Sequence, residues 1–237
     1  MELGRTDICC EVSMLSLHLA LPRRGHLENK FHMFAFLKCH TNSDMVFDPG
    51  DVDFDRALFP RKDWDFSIYT QDDTKPVEEL QPNIPKPCGK GMTMRVFVDS
   101  NYAGDTVIRR SRTGFVIFLN AAPIYWRSNK QTSCKTSSFG SEFCGMKQAT
   151  EYVRGLHYKL RMMGIPVEEP ALNLCNNQSV LDNTTMPEST LKKKTQSIEF
   201  YFVREGSTRD EWQTAYIKIH ENVVDMLTKP LYSGEKS

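Results

Sequence analysis

At 237 residues and 40% apolar composition, the chain has room for one large domain, or a medium domain with a partial one, around a real hydrophobic core. Thirty basic residues balance thirty acidic ones, which excludes a strongly basic nucleic-acid binder on global charge and leaves such a role to local clusters. No apolar run approaches the ~20 residues that span a bilayer, and seven scattered cysteines with no CxxC pair and no signal-peptide pattern before them predict reduced thiols in an intracellular protein, cytoplasmic or nuclear.

Residues 1–42 read as a helical N-terminal segment, in which "EVSMLSLHLA" precedes a "PRRG" turn. After the turn, "HLENKFHMFAFLKCH" sets Leu27, Phe31, Phe34 and Leu37 near one face. Residues 43–92 hold six of the twelve prolines and many Asp residues, and read as an irregular connector with a possible short strand at "DMVFD" and an aromatic anchor at Trp64 and Phe66. Order resumes over 93–232. "MRVFVDS", "TGFVIFLN" and "APIYWRS" are three strands of an antiparallel meander, the last two joined by a short turn.

A long helix follows, with Phe143, Met146, Thr150, Val153, Leu156, Leu160 and Met163 at three- and four-residue steps and a stop at Gly164 and Pro166. "ALNLC" is a fourth strand, "NQSVLDNT" a short helix, "SIEFYFVREG" another helix, "WQTAYIKIH" a fifth strand and "ENVVDMLTKPL" a final helix, with 233–237 a tail. A meander followed by a helical crossover into further strands predicts a mixed α/β sheet with helices on its faces.

Acidic side chains stand at telling places in this order. Asp99 ends the first strand, Glu142 lies in the first turn of the long helix and Asp225 lies in the last helix. Taken singly, each has an ordinary explanation as a cap, a first-turn charge or a solvated face. Together they match what two-metal phosphodiester hydrolysis needs, namely oxygen ligands converging from different elements between two repelling cations. The fourth strand would bring its own end to the same point, and that end is an amide, Asn176.

From about 94 to 232 the sequence resembles the ribonuclease H domain of copia-type LTR retrotransposon polyproteins. The resemblance lies in the ordered series "FVDSNYAGD", "RRSRTGFVIFLNAAPIYWRSNKQ", "SSFGSEFCGMKQATE", "LCNNQSV", "FYFVREG" and "VVDMLTKPL". Upstream, "GRTDICCEVSMLSLHLALPRRGHLENKFHMFAFLK" resembles the end of the polymerase region and its connection, so most of the chain is covered, weakest over about 50–90. The resemblance implies a ribonuclease H-like five-stranded mixed sheet, two Mg²⁺ ions, and an RNA/DNA hybrid or other nucleic-acid duplex as partner, with the reverse transcriptase domain of a full polyprotein as a second partner and no membrane.

Carried over residue by residue, the metal-binding acids fall on Asp99, Glu142 and Asp225, and the fourth catalytic position falls on Asn176, where the family has Asp. Asn177 matches the Asn that follows it, Tyr201 stands where members usually have His, and Asn101 stands where many have a second Asp outside the metal set. Arg109, Arg110 and Arg112 in the first hairpin and Lys192, Lys193 and Lys194 before the "FYFVREG" helix are basic clusters suited to backbone phosphates, or else solvated loops. The one adjacent Asp pair, Asp72 and Asp73, lies in the proline-rich connector, so no polymerase active site is expected.

The amide at 176 removes one negative charge from between two dications. At an effective dielectric near 20 and ~4 Å, that charge is worth on the order of 4 kcal/mol, roughly a thousandfold in rate if lost from the transition state. Two readings follow: a hybrid endoribonuclease impaired by Asn176, or a non-catalytic nucleic-acid-binding or decayed retroelement fragment that keeps the fold. An integrase or transposase of similar fold is disfavoured by the terminal "DMLTKPL", which belongs to the ribonuclease H series.

Overall fold

The computed structural model describes residues 5–42, 44–52, 82–105, 107–167, 169–190 and 197–231. Trp64, Phe66, the Asp72–Asp73 pair, Lys192, Lys193, Lys194 and the tail lie outside these residues. In chain order the elements are a 3-10 turn Thr6–Ile8, α1 Cys9–Ser16, α2 Arg24–Cys39, β1 Met94–Asn101, β2 Arg112–Leu119, β3 Ala122–Lys130, α3 Ser138–Met162, β4 Ala171–Cys175, α4 Gln178–Thr185, α5 Ser197–Thr208, β5 Trp212–Tyr216, a 3-10 turn Ile219–Glu221 and α6 Asp225–Thr228. No helix among the described residues is long and apolar enough to cross a membrane. All seven cysteines are free thiols.

The five strands form one sheet in the order β3-β2-β1-β4-β5. β1 pairs antiparallel with β2, β2 antiparallel with β3, and the crossover through α3 brings β4 in parallel beside β1, followed by β5 parallel to β4. The meander and the helical crossover follow from short hairpin turns on one side and a long helical connection on the other. The result is the ribonuclease H-like mixed sheet that the resemblance implied, with helices on both faces.

Because side chains alternate across a strand, β1 feeds two cores. Met94, Val96 and Val98 point with Phe115 and Ile117 into a cluster closed by Phe143, Met146 and Val153 of α3 and by Phe200 and Val203 of α5. Phe97 points the other way with Val116, Leu172 and Leu174, and this second cluster is closed by Val224 and Leu227 near the C-terminus and by Cys9 of α1. Cys9 and Cys10 are almost wholly buried, and the buried Glu11 carboxylate accepts the Leu231 backbone N–H at 2.7 Å. α2 is different: it has no buried residue, and Leu27, Phe31 and Phe34 are each at least half exposed.

Helix ends follow local chemistry. Ser137 caps α3, its hydroxyl accepting the Gly140 N–H at 3.2 Å, and Gly164, at φ +72°, closes the other end in the left-handed conformation suited to glycine. Arg204, in the "FYFVREG" stretch, is buried and donates to the carbonyls of Asn183, Met186, Pro187 and Ser189, satisfying the end of α4 and the loop after it.

Three expectations need correction. "DMVFD" is not a strand; Val46 and Phe47 face solvent, and the connector instead docks through the carbonyls of Pro49 and Gly50 on the β2–β3 turn. The fifth strand stops at Tyr216, opposite Cys175, because β4 ends there and offers no further ladder partner. The final helix is only Asp225–Thr228, since Asn222 spends its side chain on the Val98 carbonyl (3.1 Å) and the Val224 N–H (3.3 Å), breaking the run.

Two glycines give opposite expectations. A Cβ on Gly206 would lie 1.9 Å from the Trp212 ring, whereas one on Gly155 would meet nothing within 4 Å. Gly206→Ala is expected to lose roughly 1–3 kcal/mol or more from overpacking. Gly155→Ala, in an exposed helical position, should gain roughly 0.5–1 kcal/mol. Urea denaturation of the two variants checks both signs.

Candidate active site

The carboxylates meet at one end of β1 because two helices come unusually close to it. A Cβ on Gly145 of α3 would lie 2.5 Å from the Ser100 Oγ, and one on Gly114, the β2 partner of Asp99, would lie 2.8 Å from Leu227 and Thr228. The absence of both β-carbons lets α3 close on one face and α6 on the other. Glu142 sits one turn before Gly145, and Asp225 opens α6.

Asp99 is buried, and its Oδ2 accepts the Thr228 hydroxyl at 2.5 Å; the same hydroxyl lies 3.2 Å from the Asp225 carbonyl. Burial pushes the Asp99 carboxyl up, Thr228 opposes that by hydrogen bonding, and the Asp225 charge adds to it. Burial also drives Glu142, with the charges of Asp99 and Asp225 adding, to about 9. The Asp225 carboxylate is half exposed and accepts Lys229 Nζ at 2.6 Å. The three acids therefore share one electrostatic site.

Asn176, the fourth residue of the expected set, carries no charge. Val98 pairs with Cys175, so Asn176 comes one step beyond, level with Asp99 at the same end of two parallel strands. The two amides divide their work: Asn177 caps α4 through its Oδ1, which accepts the N–H groups of Ser179 (3.0 Å) and Val180 (3.3 Å). Asn176 makes no such cap.

Hard oxygen donors around a common point suit Mg²⁺ in kind. The arrangement is nonetheless short of a two-ion cage. Asp99 and Asp225 are engaged by Thr228 and Lys229, position 176 is neutral, and among the described residues no three His, Cys, Asp or Glu side chains are gathered as an ion would require. The residues present do not fit the paired ions.

The basic hairpin cluster separates. Arg109 is exposed, at φ +55° in the turn, and Arg110 is half-buried. Arg112 is buried, and its guanidinium donates to Ser13 Oγ (2.7 Å) and Ser128 Oγ (3.1 Å), tying α1 to β3 rather than facing a phosphate. Tyr201 is more than half exposed on α5. Thr228, Asn222 and Lys229 had no role in the sequence analysis; their only signal was their place in the "NVVDMLTKPL" run, where a hydroxyl three residues after an acid returns to the same helix face.

No protein-family model matches the chain. The strand order and senses give a sheet of ribonuclease H-like fold, and the sequence is distantly similar over 60% of its length to copia-type retrotransposon polyproteins. It is 24% identical over 143 residues to the retrovirus-related Pol polyprotein from transposon RE2 of Arabidopsis thaliana, and 24% identical over 141 residues to that from transposon TNT 1-94 of Nicotiana tabacum. The match spans 10% of each polyprotein. Among solved structures, LC11-RNase H1 in complex with RNA/DNA hybrid aligns at a TM-score of 0.46 and 15% identity, over 57% of this chain and 93% of that one.

The displaced Glu142 carboxyl makes stability depend on pH. Its folded-state value stands above the ordinary 4.5, so the folded state binds the extra proton: the penalty is absent below about 4.5 and grows as pH rises towards 9. In metal-free buffer, Glu142→Gln should raise the melting temperature at pH 8 by at least roughly 2–4 °C, about 1 kcal/mol, with the gain vanishing near pH 4.5. Melting curves across that range check it.

Proposed function

We propose that this chain is a retrotransposon-derived ribonuclease H-like domain that engages RNA/DNA hybrid duplex and hydrolyses its RNA strand weakly or not at all. The observation that supports the reading is Asn176: it follows Cys175, the β4 partner of Val98, which brings it level with Asp99, and it is neutral where the resemblance implies a carboxylate. Binding outlasts chemistry here because phosphate contacts need cations, not paired metal ions. We assign such contacts to Arg109 and Arg110, and to the basic run Lys192, Lys193 and Lys194. The chain's own part at this end of the sheet is to hold Asp99 in place through the Thr228 hydroxyl.

Cleavage of a labelled hybrid in Mg²⁺ should stay near background for the unmodified protein and rise on Asn176→Asp, by up to roughly a thousandfold. Vigorous Mg²⁺-dependent cleavage by the unmodified protein would overturn the reading. Hybrid binding should weaken steeply with added salt, and replacing Arg109 and Arg110 by Ala should flatten that dependence.

A further inference from the structure

A groove of about 640 Å³ lies between the α1–α2 turn and the loop joining β1 to β2. One end of it is formed by Asn101 and Thr228, and Thr228 is the residue that holds Asp99. Its walls are apolar: Leu17, Leu21 and Ile108 are 48%, 74% and 42% exposed. Its charges are mostly positive. Arg23, Arg110, Arg112 and Lys130 line it against the single acid Asp105, which lies 3.6 Å from Lys130. Arg112 is committed to Ser13 and Ser128, but among the described residues neither Arg23 nor Arg110 has an acidic partner.

A flat element completes the surface. The His18 and His26 rings stack 3.9 Å apart, the pair being fixed by the Arg23 backbone N–H, which donates to His26 Nδ1 at 3.1 Å. Cations able to meet phosphates, apolar walls and a planar face able to stack a base are what single-stranded nucleic acid requires. The strand need not be read by sequence, because any base has a face to stack.

We infer that this groove, formed jointly by the N-terminal helices and the first hairpin, holds an unpaired strand that continues from a duplex lying at the Asp99 site. The inference deepens the proposed function and rests on it for the duplex end. Phosphates of the strand meet Arg23 and Arg110, and its first bases lie on the His18–His26 pair and the leucine wall. An acidic peptide would satisfy the cations but its carboxylate side chains offer nothing to the imidazole stack, whereas every nucleotide carries both a phosphate and a stacking face.

The experiment uses the full chain and fluorescence anisotropy. The probes are a blunt RNA/DNA hybrid, the same hybrid with an unpaired extension of about six nucleotides at either end, and the extension alone. The extended hybrid should bind about tenfold more tightly than the blunt one, the equivalent of one stacked base. Arg23→Glu and Leu21→Asp, both at exposed positions, should abolish that gain and leave blunt-hybrid affinity unchanged. Equal affinity for blunt and extended hybrids, or a gain that survives both variants, overturns the groove assignment while leaving hybrid binding intact. Failure of the blunt hybrid to bind removes the proposed function instead, and the free strand then decides: binding lost on Arg23→Glu supports the groove, and no binding overturns it. Displacement of the strand by poly-glutamate at equal charge concentration also overturns it, since the groove would then be a general anion surface.

Discussion

The structure depends on how closely two helices can approach the end of one strand. Ser100 and Asp99 are adjacent in β1 and face opposite sides of the sheet; Gly145 lets α3 close on the first, and Gly114 lets α6 close on the second. These contacts exclude water from Asp99 and crowd Glu142, which is why both carboxyls are harder to ionise than ordinary ones. Packing and electrostatics are thus one constraint: the same missing β-carbons that permit the fold set the cost of its charges.

The second face of the sheet shows how far that constraint extends. α6 is a single turn of four residues and would not hold its place by its own hydrogen bonds. Its position is fixed from outside. Ser128 donates to the Leu227 carbonyl at 2.6 Å, Arg112 bridges Ser128 to Ser13, and Glu11 takes the Leu231 N–H. α1 therefore reaches the carboxylate site through two polar links and the buried Cys9, although its last residue, Ser16, precedes Met94 of β1 by 78 positions.

The alternation of Val96, Phe97 and Val98 and the three- and four-residue spacing from Phe143 to Leu160 made the sheet and the long helix legible, because each residue's face follows directly from backbone period. Met163 broke the pattern: it lies beyond the helix end and is 65% exposed. Asp99, Glu142 and Asp225 were legible as a set through element order and the resemblance. What could not be read was anything decided by contact between distant segments. Arg112 looked like its neighbours Arg109 and Arg110, yet one side chain of the three turns inward to two serines, one of them 99 residues away. Leu27, Phe31 and Phe34 share a helix face as their spacing implied, but spacing cannot say whether anything covers that face. The short α6 escaped for the same reason, since Asn222 breaks the helix through a bond to β1.

The adjacent amides carry a consequence for how such a chain changes over time. Asn177 answers to folding, because α4 would lose its cap without it. Asn176 makes no such cap, so exchange of charge for amide there leaves the start of α4 as it is. A change there alters local charge without touching the start of α4, and a process that inspects only shape does not register it. Well-formed cores in domains of this type record selection against misfolding and carry no information on whether chemistry is still being selected.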